Sequence, residues 1–170
     1  MYSLNVPVPG RVSQLAWELR SSLTGFERLR DEPTLVVKRL PIDEPAAFPS
    51  VREDVYAAIR GTEPFDVRVH RIDVFSEPAT GPGPVIYLAI DSPELESLHR
   101  RLAAAFEPIP DIEGEDYVPH ITLARGGDPD TGTIERLCEQ ELEPVDWTVN
   151  RFVFWDPREG LPISDVRLPV

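Results

Sequence analysis

The same order of predicted elements, strand-helix-strand-helix-strand, occurs twice along the chain. Pro9-Gly10 in the first half corresponds to Ser92-Pro93 in the second, and Thr34-Leu35 corresponds to Thr122-Leu123. Such a repeat indicates an internal duplication in which each unit packs against the other. It predicts one α+β domain over residues 1–170, made of duplicated β-α-β-α-β lobes over about 1–78 and 84–170. The alternative is a plain α+β domain whose order repeats by coincidence.

Two kinds of apolar spacing define these elements. Val12, Leu15, Leu19 and Leu23 recur every three or four residues, which is typical of an amphipathic helix. Alternating or continuous apolar residues predict strands, and the proline- and glycine-rich segment 76–84 predicts an open loop between the halves. The predicted helices cover about 12–23, 50–60, 92–106 and 134–142, and the predicted strands cover about 2–8, 34–40, 65–75, 85–90, 117–125, 147–155 and 163–168.

The charge balance is strongly acidic. Thirty acidic residues face 17 basic ones, which gives a net charge of −13, and Lys38 is the one lysine. This composition is typical of proteins from a high-salt cytoplasm, where acidic surfaces keep proteins in solution and salt screens their self-repulsion. The alternative is a protein that avoids nucleic acid. At molar salt, however, the Debye length is only about 3 Å, so the net charge says little about the substrate.

Several classes of protein are disfavoured by composition. The single cysteine, Cys138, excludes an internal disulfide framework. No apolar run reaches membrane-spanning length, and no secretion leader is visible, so a cytoplasmic protein without a membrane partner is expected. No His, Cys, Asp or Glu cluster has the spacing of a metal site. We therefore expect no cofactor and no metal, and we expect a monomer.

The segment from Tyr117 to Arg125 carries the candidate chemistry. Pro119 favours extended backbone just before His120, and Ile121 and Leu123 favour a half-buried strand. Because strand side chains alternate between faces, His120 and Thr122 share one face. An imidazole beside a hydroxyl on a rigid strand suits proton transfer next to a bound anion, although an ordinary strand histidine would give the same pattern.

The duplicated order, together with Pro-His-Ile-Thr-Leu-Ala-Arg at 119–125, resembles the 2H phosphoesterase superfamily. Within it the chain looks like the 2′,5′ RNA ligase-like, or RNA 2′,3′-cyclic phosphodiesterase, branch. The resemblance implies antiparallel sheets that face a central cleft, with helices outside and one HxTx motif from each half. It also implies a metal-independent reaction at a 2′,3′-cyclic phosphate, in which two histidines act as general acid and general base. Hydroxyl and cationic groups would stabilise the charge that develops on the phosphate.

Carried onto this sequence, the resemblance makes His120 a catalytic histidine and Thr122 its phosphate-binding partner. Thr34 would be the hydroxyl of the first motif. Arg125 occupies the place of an arginine that follows the second motif, although simple alternation points it away from Thr122, so that a bulge or strand end is needed. Simple alternation puts Lys38 on the same face of its strand as Thr34, and its side chain could extend either into the cleft or into solvent.

The first motif departs from the family pattern. If Thr34 corresponds to Thr122, the position of the missing histidine holds Glu32, with Pro33 between them. Glu32 could replace the histidine as a base if burial raised its pKa. His70 and His99 offer little replacement, since His99 is predicted on a solvated helix face.

Three functions stay open at this point. The chain could be a phosphodiesterase that acts on RNA ends or small cyclic nucleotides, with reverse 2′,5′ ligation possible. It could instead be a degenerate domain that binds nucleotides or RNA ends without turnover. A structural or protein-interaction domain with no site is the third and weakest interpretation.

Overall fold

Nine strands and four α-helices are formed within residues 1–170, all of which the computed structural model describes. The strands are β1 (Tyr2–Val6), β2 (Phe26–Leu29), β3 (Leu35–Leu40), β4 (Phe65–Phe75), β5 (Val85–Asp91), β6 (His120–Gly127), β7 (Val145–Val149), β8 (Arg151–Asp156) and β9 (Leu161–Arg167). The helices are α1 (Gly10–Leu19), α2 (Phe48–Ile59), α3 (Pro93–Ala105) and α4 (Thr131–Glu139). None of these helices has the length and apolar character needed to cross a membrane.

All strands join one antiparallel sheet in the order β7-β4-β5-β6-β3-β1-β8-β9, and β2 pairs with β6. Its two halves meet where β3 pairs with β6 at Leu35 and Ile121. α3 packs on β3 and β4, and α4 packs on β4. The predicted α+β class, with antiparallel strands and outer helices, is therefore confirmed.

The two halves of the sheet do not coincide with the two halves of the chain. β4 lies in the predicted first lobe, but it pairs with β5 and β7. β8 and β9 lie in the predicted second lobe, but β8 returns to pair with β1. The boundaries of about 1–78 and 84–170 are therefore divisions of the sequence and not of the structure.

Matching bulges interrupt the two central strands. Leu4 and Asn5 of β1 pair with Lys38 and Val36, so β3 carries one extra residue between those partners. Ile86 and Tyr87 of β5 pair with Ala124 and Thr122, so β6 carries one extra residue at the corresponding place. A bulge reverses the side-chain parity of the residues that follow it. The two strands therefore change faces at equivalent positions.

Some element boundaries differ from the prediction. The segment predicted as one strand over 147–155 is two strands that separate at Asn150, and β2 was not predicted. α2 begins at Phe48 and has no side-chain cap, so the predicted capping box at Ser50 is wrong. The predicted cap at Ser92 is confirmed, because its hydroxyl accepts a hydrogen bond from the backbone N–H of Leu95 at 3.3 Å.

A buried polar cluster fixes the loop over 107–116 against β3. The Lys38 ammonium donates to the Glu113 carboxylate at 2.6 Å, and both side chains are 1% exposed. His99 is also fully buried, so its predicted solvated position is wrong. Its ring lies 2.6 Å from the Val37 carbonyl oxygen and accepts from the backbone N–H of Gly114 at 2.8 Å. One ring nitrogen must donate to the Val37 carbonyl while the other accepts from the Gly114 N–H. Only the neutral imidazole has one donor and one acceptor nitrogen, so His99 is neutral.

Stability is expected to fall in mild acid because of His99. Burial, together with the charges of Lys38 and Arg100, lowers the pKa of His99, although the Val37 carbonyl and Glu113 oppose this. The unfolded chain therefore takes up the proton first, and the free energy of unfolding decreases as pH falls below about 6.5. Urea unfolding between about pH 7.5 and pH 5 measures this slope. His99→Gln should flatten the slope, whereas His70→Gln, a change at an exposed residue, should leave it as in the wild type. Equal slopes in the wild type and both variants would contradict the assignment of this slope to His99.

Candidate functional site

A cavity of about 460 Å³, called here the first cavity, opens on the face of the sheet that carries His120. β6 contributes His120, Thr122 and Arg125, and β3 contributes Arg39. Arg30, which follows β2, completes the set of cations. The walls come from the loops around 76–84 and 107–116, and they add the exposed carboxylates Glu77, Asp111 and Asp116.

The His120 ring is held by one hydrogen bond and two aromatic contacts. Nδ1 lies 2.7 Å from the carbonyl oxygen of Val118, so Nδ1 carries the proton and donates. Nε2 is left with a free lone pair. Phe75 and Tyr87 stack on each other with ring centroids 4.2 Å apart, and both meet the imidazole edge-on at 5.2 and 5.3 Å. The fixed ring and its free Nε2 are suited to accepting a proton.

Burial lowers the pKa of His120, and the positive charges of Arg39 and Arg30 lower it further, while the Val118 carbonyl acts in the opposite direction. The imidazole is thus neutral at physiological pH and ready to act as a base. Burial also raises the pKa of the neighbouring Tyr87 to about 12. That phenol therefore stays protonated, and His120 is the titratable group of this aromatic cluster.

Arg125 is fixed to the loop that closes one side of the cavity. Its guanidinium donates to the carbonyl oxygens of Thr80, at 2.6 Å, and Pro82, at 3.3 Å. Gly81 lies between them with φ of +71°, and a Cβ there would come within 2.7 Å of the guanidinium. Glycine is required because the backbone adopts this conformation and approaches the cation closely. Arg125 thus joins the site to the loop over 76–84.

A second cavity of about 470 Å³ lies beside the first, and Arg30 and Arg39 line both. Thr34 and Glu32 line this second cavity, whereas His120 and Thr122 line the first. The structure thus brings together His120, Thr122 and Arg125 from the sequence-based set. It places Glu32 and Thr34 on the far side of the two shared arginines.

Lys38 lies outside both cavities. Its ammonium group is bound to Glu113 and to two backbone carbonyls, at 2.9 and 3.3 Å, on the helix-covered side of β3. Its neighbour Arg39 faces the cavity instead, because the bulge shifts side-chain parity by one residue. The same shift in β6 turns Arg125 toward His120. The predicted role of Lys38 in substrate binding is therefore wrong, and Arg39 was missed.

The bulges also change the alignment of the first motif. They make Val36 equivalent to Thr122, and two residues earlier they make Thr34 equivalent to His120. Continued along both strands, this alignment makes Arg39 equivalent to Arg125, and both residues line the first cavity. The correspondence of Thr34 with Thr122 is therefore wrong, and Glu32 does not occupy the histidine position. Where β6 carries His120 and Thr122, the first half of the chain therefore carries Thr34 and Val36.

The open face of the antiparallel sheet thus carries an imidazole, a hydroxyl and guanidinium groups around one cavity. The sequence profile of the 2′-5′ RNA ligase superfamily matches residues 22–161. The chain belongs to this superfamily. No curated protein matches the chain in sequence.

Solved structures show the same fold over nearly the whole chain. The protein TT0787 of Thermus thermophilus is 22% identical, with a TM-score of 0.64 over 99% of this chain and 94% of that one. Escherichia coli LigT complexed with 3′-AMP is 14% identical, with a TM-score of 0.66 over 98% of this chain and 97% of that one. A crystal structure described as a phosphoesterase is also 14% identical, with a TM-score of 0.69 over 98% and 97% of the two chains. At these identities the likeness shows the fold.

Proposed function

We propose that this protein binds the 2′,3′-cyclic phosphate end of RNA, or a small cyclic nucleotide, and opens the ring with His120 as its one imidazole. The observation that carries the proposal is the convergence of His120, Thr122, Arg39 and Arg125 on one cavity. The phosphate would lie against the guanidinium and hydroxyl groups, which stabilise charge on its oxygens.

The chemistry needs a base and an acid. Nε2 of neutral His120 accepts a proton from water, the water oxygen attacks phosphorus, and one P–O bond to the ribose breaks. The departing oxygen requires a proton, which the first-motif histidine would supply in an intact site. With Thr34 in that place, the proton must come from solvent. One absent acid or base costs about 10²–10⁴ in rate, so slow turnover is expected.

Binding without turnover is the second candidate, and the altered first motif favours it. Thr34, at the position equivalent to His120, has no acid-base group, and Val36, at the position equivalent to Thr122, has no hydroxyl. The cation set is unaffected by these replacements, so the cavity keeps its capacity to hold a phosphate.

Turnover of adenosine 2′,3′-cyclic phosphate at molar salt separates the two candidates. We expect slow opening by the wild-type protein and a loss of at least about 10²-fold in His120→Ala. Glu32→Ala should leave the rate within about twofold, because the bulge register puts Glu32 two residues before the position equivalent to His120. Binding without detectable wild-type turnover would reject the enzyme, and activity that survives His120→Ala would reject the site.

The pH dependence of kcat/KM tests the role of His120 as the base. Because burial and two arginines lower its pKa, the neutral imidazole persists below about pH 6.5. The acidic limb of the profile is therefore expected below that pH. Arg39→Gln removes one of the two nearby cations and should move the limb toward higher pH. A limb above the ordinary histidine range, or one unaffected by Arg39→Gln, would contradict this role.

A further inference from the structure

We infer that Tyr117 is a positioning residue for His120 and acts through the backbone carbonyl of Val118. The inference deepens the proposed function and rests on it, because a base at Nε2 needs the ring proton on Nδ1. A neutral imidazole can carry its single proton on either nitrogen. The Val118 carbonyl oxygen, 2.7 Å from Nδ1, favours the Nδ1–H form. The position of that carbonyl therefore determines whether His120 can accept a proton from water.

Val118 lies between two anchored residues. On one side, the Tyr117 hydroxyl donates to the carbonyl oxygen of Val36 on β3 at 2.8 Å. On the other side, the carbonyl oxygen of Pro119 accepts from the backbone N–H of Ile90 on β5 at 3.2 Å. Val118 itself is 41% exposed, so packing of its own side chain does not fix its backbone. The two anchors therefore set the direction of its carbonyl.

The Tyr117 side chain is held on its ring face as well as at its hydroxyl. Its ring stacks on the imidazole of His99, with centroids 3.7 Å apart and planes 9° from parallel. His99 is fully buried and is itself bound to Val37 and Gly114. Burial raises the pKa of Tyr117, so the phenol keeps the proton that it donates to Val36. The anchor on β3 is therefore rigid and independent of pH in the neutral range.

Tyr117 lines neither the first cavity nor the second, and His99 also lies outside both. A ligand in the first cavity therefore does not contact the phenol. Its influence on the reaction must pass through the segment that it anchors, and the first group on that path is the carbonyl that binds His120. This arrangement separates a positioning role from a role in binding.

Ring-nitrogen chemical shifts measure the tautomer directly, and the chain has only three histidines to distinguish. Long-range ¹H–¹⁵N correlation spectra of the wild type at about pH 8, where histidines are neutral, are expected to show His120 as the Nδ1–H form. His120→Ala assigns the signals. Tyr117→Phe removes only the hydroxyl and should give a mixture of both tautomers. Tyr56→Phe is the matched control, because its hydroxyl lies on α2 and contacts Arg52; it should keep the wild-type form.

Steady-state turnover supplies a second measurement. Arg39, Arg125 and Thr122 hold the phosphate in the proposed function, and Tyr117→Phe leaves them in place. This variant is therefore expected to lower kcat for adenosine 2′,3′-cyclic phosphate by about tenfold to a hundredfold, as a misplaced catalytic group does, and to leave KM within about twofold. Tyr56→Phe should change neither constant.

Val118→Gly loosens the same link at an exposed residue, so the test does not depend on the folding of Tyr117→Phe. Glycine frees the backbone between the two anchors, whereas Val118→Ala shortens the side chain and keeps the backbone restricted. Val118→Gly should therefore give mixed tautomers of His120, and Val118→Ala should give the Nδ1–H form.

A wild-type His120 in the Nε2–H form would overturn the inference. The Nδ1–H form alone in either Tyr117→Phe or Val118→Gly would also overturn it. The spectra need no substrate, so they are independent of the proposed activity. Mixed tautomers in these variants, with no turnover of the cyclic nucleotide by the wild type, would retain the positioning role and reject the catalytic proposal.

Discussion

Thr34→His combined with Val36→Thr is expected to raise the rate of cyclic-phosphate opening by about 10²–10⁴-fold. The double substitution would place an imidazole and a hydroxyl at the positions that the bulges make equivalent to His120 and Thr122. The added imidazole would supply the missing acid, and the hydroxyl would give the phosphate a second hydroxyl donor. Thr34 lines a cavity of about 470 Å³, so the larger side chain has space. Steady-state turnover of adenosine 2′,3′-cyclic phosphate measures the gain.

Glu32→His is the matched control for this gain. It creates the histidine-x-threonine spacing with Thr34 that the unaided sequence alignment implies, but it leaves Thr34 and Val36 in place. The bulge-based alignment predicts no gain for this variant. A larger gain in Glu32→His than in the double variant would show that the alignment from the bulges is wrong. In a Thr34→His, Val36→Thr protein, the further change His120→Ala should return turnover to the wild-type level or below, because both imidazoles would be needed.

Local patterns in the sequence were sufficient to predict most of the fold. The apolar run at 85–90, the long alternation at 65–75 and the Ser92 cap correspond to β5, β4 and the start of α3. These features depend on near neighbours in the chain, so periodicity and capping chemistry reveal them. β2 escaped prediction because its four residues are only partly buried and their pairing with β6 depends on a distant segment.

The residues of the candidate site were predictable where their orientation follows from alternation along a single strand. They were not predictable where the orientation depends on the register between paired strands. His120 and Thr122 precede the bulge in β6, so simple alternation placed them on one face. Lys38 and Arg39 follow the bulge in β3, and the same rule exchanged their faces. Because a bulge is defined by the partner strand, the sequence of β3 alone did not show it. Arg30 was missed for a related reason, since β2 brings it to the site by pairing with β6.

The fully buried position of His99 illustrates a different limit. Its neighbours Arg100 and Arg101 are exposed, so the helix pattern suggested a solvated face. The ring is buried because Tyr117 stacks on it at 3.7 Å and because the loop over 107–116 covers it. Sequence periodicity identifies the apolar face of a helix, but it does not reveal a polar residue whose partners come from a distant loop.

Glu113→Ala is expected to lower the free energy of unfolding by about 3–5 kcal/mol, because it leaves the Lys38 ammonium buried without its carboxylate partner. The carboxylate also accepts the backbone N–H groups of Arg39, at 2.9 Å, and Ile109, at 3.0 Å. Urea unfolding measures the loss. Glu115→Ala, at an exposed residue in the same segment, should change stability by no more than about 0.5 kcal/mol.

A second variant separates the buried charge from the loss of packing. Lys38→Met with Glu113→Leu removes both charges and should be considerably more stable than Glu113→Ala.

The stabilisation by Glu113 should depend on pH. Burial favours the neutral acid, but the Lys38 ammonium and the two backbone N–H groups outweigh it and lower the pKa of Glu113. The carboxylate therefore stabilises the fold above about pH 4.5, and the difference in free energy of unfolding between wild type and Glu113→Ala should shrink as pH falls below that value.

The loop that Glu113 anchors contributes Asp111 and Ile112 to the first cavity. Nucleotide affinity should therefore weaken in Glu113→Ala but persist in Glu115→Ala, and equal affinities would show that the ion pair acts on stability alone.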